Sequence, residues 1–309
     1  MNYTLHQLQV FLKVSQLQSI TKAAEQLHLT QPAVSIQLKN FQDQFEVPLS
    51  EIVGRRWYIT EFGKEVAIAA EKILNEVDAI KEKTMAYQGL LTGRLNISVV
   101  STGKYVMPYF LTNFLKHNIG VELQMDVTNK SRVLESLERN EVDFSLVTVL
   151  PDHLQVSSLE LMTNKLYVVT NTERKFRNKI YDSEILKELP MIYRESGSGT
   201  RFVMEKYFNE HQIPVRKKME LATNEAVKQA VIAGIGCSIM PIIGIKNELN
   251  NRELQIISVK GFPIKSTWQL IWLKNKKFSR VAESFLTYLE KEKINIINER
   301  FGWIEDFKS

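Results

Sequence analysis

A single cysteine, Cys237, stands in 309 residues, which excludes an internal disulfide framework and any cysteine-based metal cluster. Glycine (13) and proline (8) are sparse for this length, which argues against collagen-like, loop-rich and all-β repeat architectures. No apolar run approaches the roughly 20 residues that a bilayer-crossing helix needs. The start, Met1-Asn2-Tyr3-Thr4-Leu5-His6-Gln7, lacks the basic stretch and apolar run of a secretory signal. The expected localisation is therefore cytoplasmic. His6, His28, His117, His153 and His211 are scattered, no Ser–His–Asp or Cys–His arrangement stands out, and the glycine patterns of nucleotide sites are missing. No catalytic residue, metal ligand or cofactor is expected, and Cys237, between Ile235 and Ile239, reads as an inert buried thiol. What remains is a chain 44% apolar and 24% charged, the composition of an ordinary globular protein of two or three domains.

Charge of one sign is also scarce where a polyanion partner would need it. The net charge is +5, yet residues 1–90 hold nine basic and ten acidic side chains. The basic excess lies in the remainder. If the N-terminal part binds DNA, it does so by placing a few cations and helix ends rather than by bulk charge.

Residues 1–90 show four helical patterns and little strand signal. Leu5, Leu8, Phe11 and Leu12 share a helix face; Ser19 can cap a helix over 20–27; after a three-residue break Thr30 can cap another, with Pro32 in its first turn. In that helix Ala33, Val34, Leu38 and Phe41 face inward and Gln31, Ser35, Lys39 and Gln42 outward. Two short helices across a tight turn form a helix-turn-helix. Residues 47–60 read as a hairpin tipped by Gly54-Arg55-Arg56. Two permanent guanidinium charges on a protruding turn suit phosphate and narrow-groove contact; the other reading is a structural hairpin with solvated arginines.

From Glu61 to about Tyr87 the pattern is one long helix of roughly 40 Å. Val66, Ala70, Ile73, Val77, Ile80, Thr84 and Tyr87 recur at steps of four and three, a heptad seam suited to pairing with a second helix. The alternative is an amphipathic helix packed on its own domain. Gly89-Leu90-Leu91-Thr92-Gly93 then marks a hinge, beyond which strands and helices alternate, implying mainly parallel sheets covered by helices.

The most concentrated polar motif is Arg194-Glu195-Ser196-Gly197-Ser198-Gly199-Thr200-Arg201, directly before a helix. Small residues let backbone approach a ligand, and the free N–H groups of a helix start favour an anion. A capped Gly/Ser loop without a ligand is the plainer reading, and Arg201 could equally pair with Glu195 or Glu205. Ser101-Thr102-Gly103 and Thr148 stand at the ends of strands, where open α/β sheets bind ligands. Each signal is weak; together they describe one crevice.

The run from Leu5 to Leu74 resembles the winged helix-turn-helix of LysR-type transcriptional regulators, through Ser19-Ile20-Thr21-Lys22-Ala23-Ala24, Leu29-Thr30-Gln31-Pro32-Ala33-Val34-Ser35 and Ile59-Thr60-Glu61-Phe62-Gly63. The remainder is similar to that family's effector domain, with Gly234-Ile235-Gly236-Cys237-Ser238-Ile239-Met240-Pro241 as its characteristic segment. Ser101 to Pro108 and Glu195 to Arg201 look most like the branch of carbon-fixation and carbon-assimilation regulators. Three departures stand out: Ile36 follows Ser35 where an arginine is usual, Glu46 replaces the glycine before the wing, and Leu49-Ser50 replaces Leu-Phe. Residues 294–309, with Phe301, Trp303 and Phe307, run past the last helix expected.

The resemblance implies a winged helix-turn-helix over 1–60, a linker and dimerisation helix over 61–90, and an α/β effector domain over 91–309. That domain would have two Rossmann-like lobes similar to periplasmic binding proteins, about 91–164 with 268–309 and about 165–267. The implied function is a non-enzymatic, sequence-specific transcriptional regulator modulated by a small organic anion. Thr30, Gln31, Pro32, Ser35, Lys39, Arg55 and Arg56 would meet double-stranded DNA. Ser101, Thr102, Thr148, Ser198, Gly199, Thr200 and Arg201 would meet the effector. A second copy in a homodimer, dimers pairing into a tetramer, and RNA polymerase are the further partners, and no membrane is. The competing reading is a solute-binding module whose N-terminal helices only oligomerise.

Overall fold

In the computed structural model residues 2–54, 56–87, 90–176, 178–214 and 216–307 are described, and the chain forms two compact units, Met1–Leu90 and Leu91–Ser309. The first unit holds α1 (Leu5–Leu17), α2 (Ile20–Gln26), α3 (Gln31–Gln42), the hairpin β1 (Ser50–Val53) and β2 (Arg56–Ile59), and α4 (Glu61–Tyr87). Its helix starts are fixed by side chains. Thr4 and Gln7 form a reciprocal capping box, Ser19 accepts from the Lys22 N–H, and Thr30 accepts from the Ala33 N–H. The tight turn between α2 and α3 is made by His28 at φ +55°, a left-handed conformation that a non-glycine residue adopts at a cost of about 1–2 kcal/mol.

Phe11, Phe41, Val10, Val14, Val34 and Leu49 form the centre of this unit's core. Ala33 is half-buried, and Gln42 departs from the outward face expected of it: its amide donates to the Ser50 hydroxyl and ties α3 to the hairpin. The Thr60-Glu61-Phe62-Gly63 run also has a physical reason. Thr60 caps α4 through the Gly63 N–H at 3.0 Å and donates to the Pro48 carbonyl at 2.8 Å. A Cβ on Gly63 would stand 2.0 Å from the Leu49 carbonyl oxygen, so only glycine lets the helix start this close to the hairpin. Val66, Ala67, Ala70 and Leu74 pack α4 onto the core, while Ile68, Ile73 and Ile80 stay exposed. Of the expected seam, Val66 and Ala70 thus pack within their own unit and Ile73 and Ile80 are exposed, while the side chains of Thr84 and Tyr87 lie outside the described residues.

The second unit contains β3 (Thr92–Val100), a 3₁₀ turn (Ser101–Tyr105), α5 (Met107–His117), β4 (Gly120–Thr128), α6 (Lys130–Glu138), β5 (Phe144–Val147) and β6 (Val156–Asn171). It continues with α7 (Ile185–Glu188), β7 (Pro190–Arg194), α8 (Gly199–Glu210), β8 (Arg216–Leu221), α9 (Asn224–Ile232), β9 (Ser238–Pro241), α10 (Lys246–Asn250), β10 (Leu254–Ile257), β11 (Ile264–Leu273) and α11 (Arg280–Asp306). The expectation of mainly parallel sheets is corrected. β3 pairs in parallel with β4 and β5, but β11 is antiparallel to β5 and β6, and β9 and β10 are antiparallel to β6. The reason is that β6 and β11 run side by side along their lengths and carry the chain out from one lobe and back from the other. One core gathers around β3, β5, α5, α6 and α11, and a second around Leu166, Val168, Met191, Tyr207, Phe208 and Cys237.

The C-terminal segment packs inside this unit. α11 extends to Asp306, Phe301 stacks at 5.9 Å on Phe110 and meets Tyr109 edge-on at 5.4 Å, and Phe307 lies against Tyr167. Lys165, buried in β6, donates to the carbonyls of Ile304 (2.7 Å) and Glu305 (3.2 Å), satisfying the end of the helix. Because Phe301 is 3% exposed, Phe301→Ala should lower unfolding free energy by roughly 3–5 kcal/mol, read by urea titration of the full chain. A loss below about 1 kcal/mol would mean that the segment does not belong to the core.

Candidate functional site

Two surfaces carry the residues singled out by sequence. On α3, Val34, Leu38 and Phe41 point into the core, which turns Gln31, Pro32, Ile36, Lys39 and Asn40 to solvent. Ser35 is half-buried and accepts from the Gln31 amide at 3.3 Å. The outward face thus combines amide, hydroxyl and ammonium groups with an exposed isoleucine (58%). Ile36 adds an apolar surface suited to a thymine methyl group. At the hairpin tip Gly54 has φ +55°, Ile52 and Val53 are exposed, and Arg56 opens β2 opposite Val53. Arg55 lies outside the described residues.

The second surface is a cleft in the α/β unit. Ser101 and Thr102 begin the 3₁₀ turn that follows β3, and Thr148 follows β5. Opposite them Ser198 caps α8 and accepts from the Arg201 N–H, leaving the N–H groups of Gly199 and Thr200 at the helix start. These six residues line one narrow space of about 10 Å³, together with Val100, Asn129, Lys130 and Arg194. That is room for about one water. Lys130 and Ser198 also line a wider outer chamber of about 350 Å³, with Ser131, Ser196, Phe202 and Arg201. The walls touch closely: a Cβ on Gly197, at φ +84°, would lie 2.5 Å from the Ser131 hydroxyl, and one on Gly199 would lie 3.6 Å from the Thr148 hydroxyl.

The charges of the cleft differ in how free they are. Arg194 is 4% exposed and makes a bidentate pair with Glu195, at 2.8 and 2.9 Å. Arg201 sits at the outer chamber, where its guanidinium holds Glu205 at 2.7 Å and Glu220 at 2.9 Å and donates to the Arg194 carbonyl. Of its two sequence-level pairing options, Glu205 is the one realised. Lys130 lies 4.7 Å over the Phe202 ring, and burial pushes its ammonium below the ordinary lysine range, with Asp152 opposing. An anion entering beside Lys130 would therefore gain a partly desolvated cation.

Asn129, Lys130 and Arg194 were not singled out by sequence. The signal was available: Asn129 follows β4 and caps α6 through the Arg132 N–H at 3.1 Å, so the strand-end rule that pointed to Ser101 applies equally there. Arg194 opened the glycine motif without a role of its own.

Residues 5–64 match the bacterial regulatory helix-turn-helix protein, lysR family, and residues 88–293 match the LysR substrate binding domain. The chain belongs to the LysR family. It is 37% identical over 289 residues to the HTH-type transcriptional activator CmpR of Synechocystis sp., covering 93% of this chain and 95% of that protein. It is 34% identical over 287 residues to the RuBisCO operon transcriptional regulator of Acidithiobacillus ferrooxidans, covering 93% of each. The structure of the Synechocystis CcmR regulatory domain in complex with 2-PG superposes with a TM-score of 0.63 at 32% identity, over 66% of this chain and 99% of that one. This LysR protein is thus a DNA-binding transcriptional regulator with an effector-binding domain, in the branch of carbon-assimilation regulators. A solute-binding module with a merely oligomerising N-terminus is not supported.

Tyr193, on β7 beneath Arg201, supplies a pH marker for this wall. Burial, with Glu205 adding and Arg201 opposing, pushes its phenol from 10.0 up to about 12. A folded-state value above the unfolded one means that the neutral phenol's contribution is intact below pH 10 and is lost as pH rises through 12. Ultraviolet titration of the folded protein should lose a step with a midpoint near 12 in Tyr193→Phe. Loss of a step near 10 would contradict the burial of this ring.

Proposed function

We propose that this LysR-type regulator works in the cytoplasm without enzymatic activity, and that a small organic anion bound in the cleft sets how its paired DNA-binding units read an operator. The observation that carries this reading is the convergence of Ser101, Thr102, Thr148, Ser198, Gly199 and Thr200 on one space with helix-start N–H groups and Lys130. Such a lining offers donors and positive potential rather than an apolar cage. The CcmR regulatory domain, 32% identical to this chain, is in complex with 2-PG, which supports a small ligand in this domain.

The narrow end is too small for a carboxylate or phosphoryl group, so entry requires the walls to separate. We place the hinge where β6 and β11 cross, near 164/165 and 267/268, and the body of the ligand in the outer chamber beside Arg201. A ligand that binds the separated walls better than the touching ones shifts the population between them. That movement alters the face offered to a second copy and with it the spacing of paired recognition helices. RNA polymerase would then meet a differently arranged complex. Dimers pairing into tetramers would extend the same arrangement.

On DNA, Gln31, Pro32, Ser35, Ile36 and Lys39 would face the major groove, Thr30 and the α3 start a phosphate, and Arg55 and Arg56 the backbone or minor groove beside it. Exposed Ile73 and Ile80 would close against a partner's α4. In gel-shift titrations Gln31→Ala should lose about 1–3 kcal/mol on the operator and little on random DNA. Ile73→Asp should abolish tight operator binding and reduce the light-scattering mass to one chain. Equal losses of Gln31→Ala on both DNAs, or an unmodified protein that is already monomeric, would contradict this assignment.

For the cleft, calorimetry with 2-PG should show binding to the unmodified protein. Thr102→Val and Thr200→Val should each weaken it by about 1 kcal/mol or more, and Lys130→Gln by about 1.5–3 kcal/mol, the range for hydrogen bonds to charged groups. Unchanged affinity in all three variants would place the ligand elsewhere.

A further inference from the structure

A second chamber, of about 370 Å³, opens in the α/β unit and shares no lining residue with either part of the cleft. Its walls come from the far end of the 3₁₀ turn, from α10 and from the last turns of α11. Four cations border it, Lys104, Lys228, Lys246 and Arg300, against one carboxylate, Glu248. The carboxylate is already spent. Lys228, 8% exposed, donates to Glu248 at 2.6 Å and sits 3.0 Å from Glu225. Burial opposes its charge, but these two carboxylates outweigh burial and hold it above the ordinary lysine range.

Lys104 and Lys246 are different. Both are exposed, and neither lies within ion-pair distance of a carboxylate among the described residues, although Glu225 attracts Lys104 from farther off. Each ammonium instead rests over an aromatic face, Lys104 at 5.0 Å from the Tyr105 centroid and Lys246 at 4.4 Å from that of Trp303. An aromatic face attracts and orients a cation without neutralising it. Arg300 adds a guanidinium whose contact with Glu299, at 3.6 Å, is a surface pair with both partners more than half exposed. Such pairs hold a side chain only weakly.

We propose that this chamber is a binding site for a compact organic or inorganic polyanion, held between Lys104 and Lys246 with Arg300 at its edge. Its volume falls in the range of small-molecule sites, and its concave, cation-rich and aromatic lining fits a ligand with at least two negative charges better than a neutral one. The site also touches the cleft's own machinery. The 3₁₀ turn contributes Ser101 and Thr102 to the cleft at its start and Lys104 and Tyr105 to this chamber at its end. Tyr105 in turn packs on Gly244, where an added Cβ would come within 3.1 Å of the ring. Occupancy here would press on the turn that forms one wall of the cleft.

The test is calorimetric titration of the full chain with inorganic pyrophosphate at fixed ionic strength. Binding should weaken at least tenfold in the Lys104→Gln, Lys246→Gln double variant and stay unchanged in Thr148→Val, Thr200→Val, neither of which lies on the 3₁₀ turn, which separates this site from the cleft whatever the cleft binds. As a measurement free of substitutions, pyrophosphate should protect Lys104 and Lys246 of the unmodified protein from acetylation, read by mass spectrometry. No heat at millimolar pyrophosphate, equal affinity in the double lysine variant, loss confined to the cleft variant, or acetylation of both lysines at an unchanged rate would each overturn the proposal.

Discussion

The antiparallel pairing of β6 with β11 is the constraint on which the α/β unit depends. The ladder runs from Val156 opposite Leu273 to Leu166 opposite Ile264 and is interrupted once, between Trp268 and Gln269. β5, β3 and β4 build outward from one part of it, and β9 and β10 from the other. The interruption falls at Trp268, wholly buried with an indole N–H that has no acceptor among the described residues. Lys165 ties the end of α11 to the same ladder through the Ile304 and Glu305 carbonyls.

The cleft follows from that arrangement. Strand ends β3, β4 and β5 deliver Ser101, Asn129 and Thr148 to one wall, while the loop after β7 delivers Gly197 to Thr200 to the other. Glycine at 197 lets the walls meet against Ser131, and the start of α8 supplies unpaired N–H groups without adding a full charge. The two arginines of the motif are committed to Glu195, Glu205 and Glu220, which leaves Lys130 as the ammonium beside the narrow end. Positive potential here comes mainly from backbone and one partly desolvated lysine, a combination that favours a small anion over a bulky one. On the other unit, nine basic and ten acidic residues in the first 90 leave no bulk positive charge.

Much of this was legible in the chain because the signals were local. Ser19, Thr30 and Pro32 mark helix starts through hydrogen bonds to their own neighbours, and the glycine motif announces its helix in the same way. The long-range features were not legible. The first half of β6 offers only the short alternation Leu159-Glu160-Leu161 after Ser157 and Ser158, and it is held by pairing with a segment more than a hundred residues later. β8 begins with the basic run Arg216-Lys217-Lys218, which holds no apolar residue to mark a strand, yet it lies parallel to β7. The direction of strands depends on which partner each finds, which is why a parallel sheet was expected and a mixed one is present. Residues 294–306 read as a tail because nothing nearby in sequence covers Phe301; Tyr109 and Phe110 do so from afar, and Lys165 holds the end of the helix.

The central claim is that a small organic anion is read between the two walls of the cleft. Hydrogen–deuterium exchange of the full chain, with and without 2-PG, tests it most directly. The account predicts slowed exchange at 100–102, 129–132, 148 and 198–201, with altered exchange where β6 and β11 cross. Slowed exchange confined to other segments, or none at saturating ligand, would contradict it.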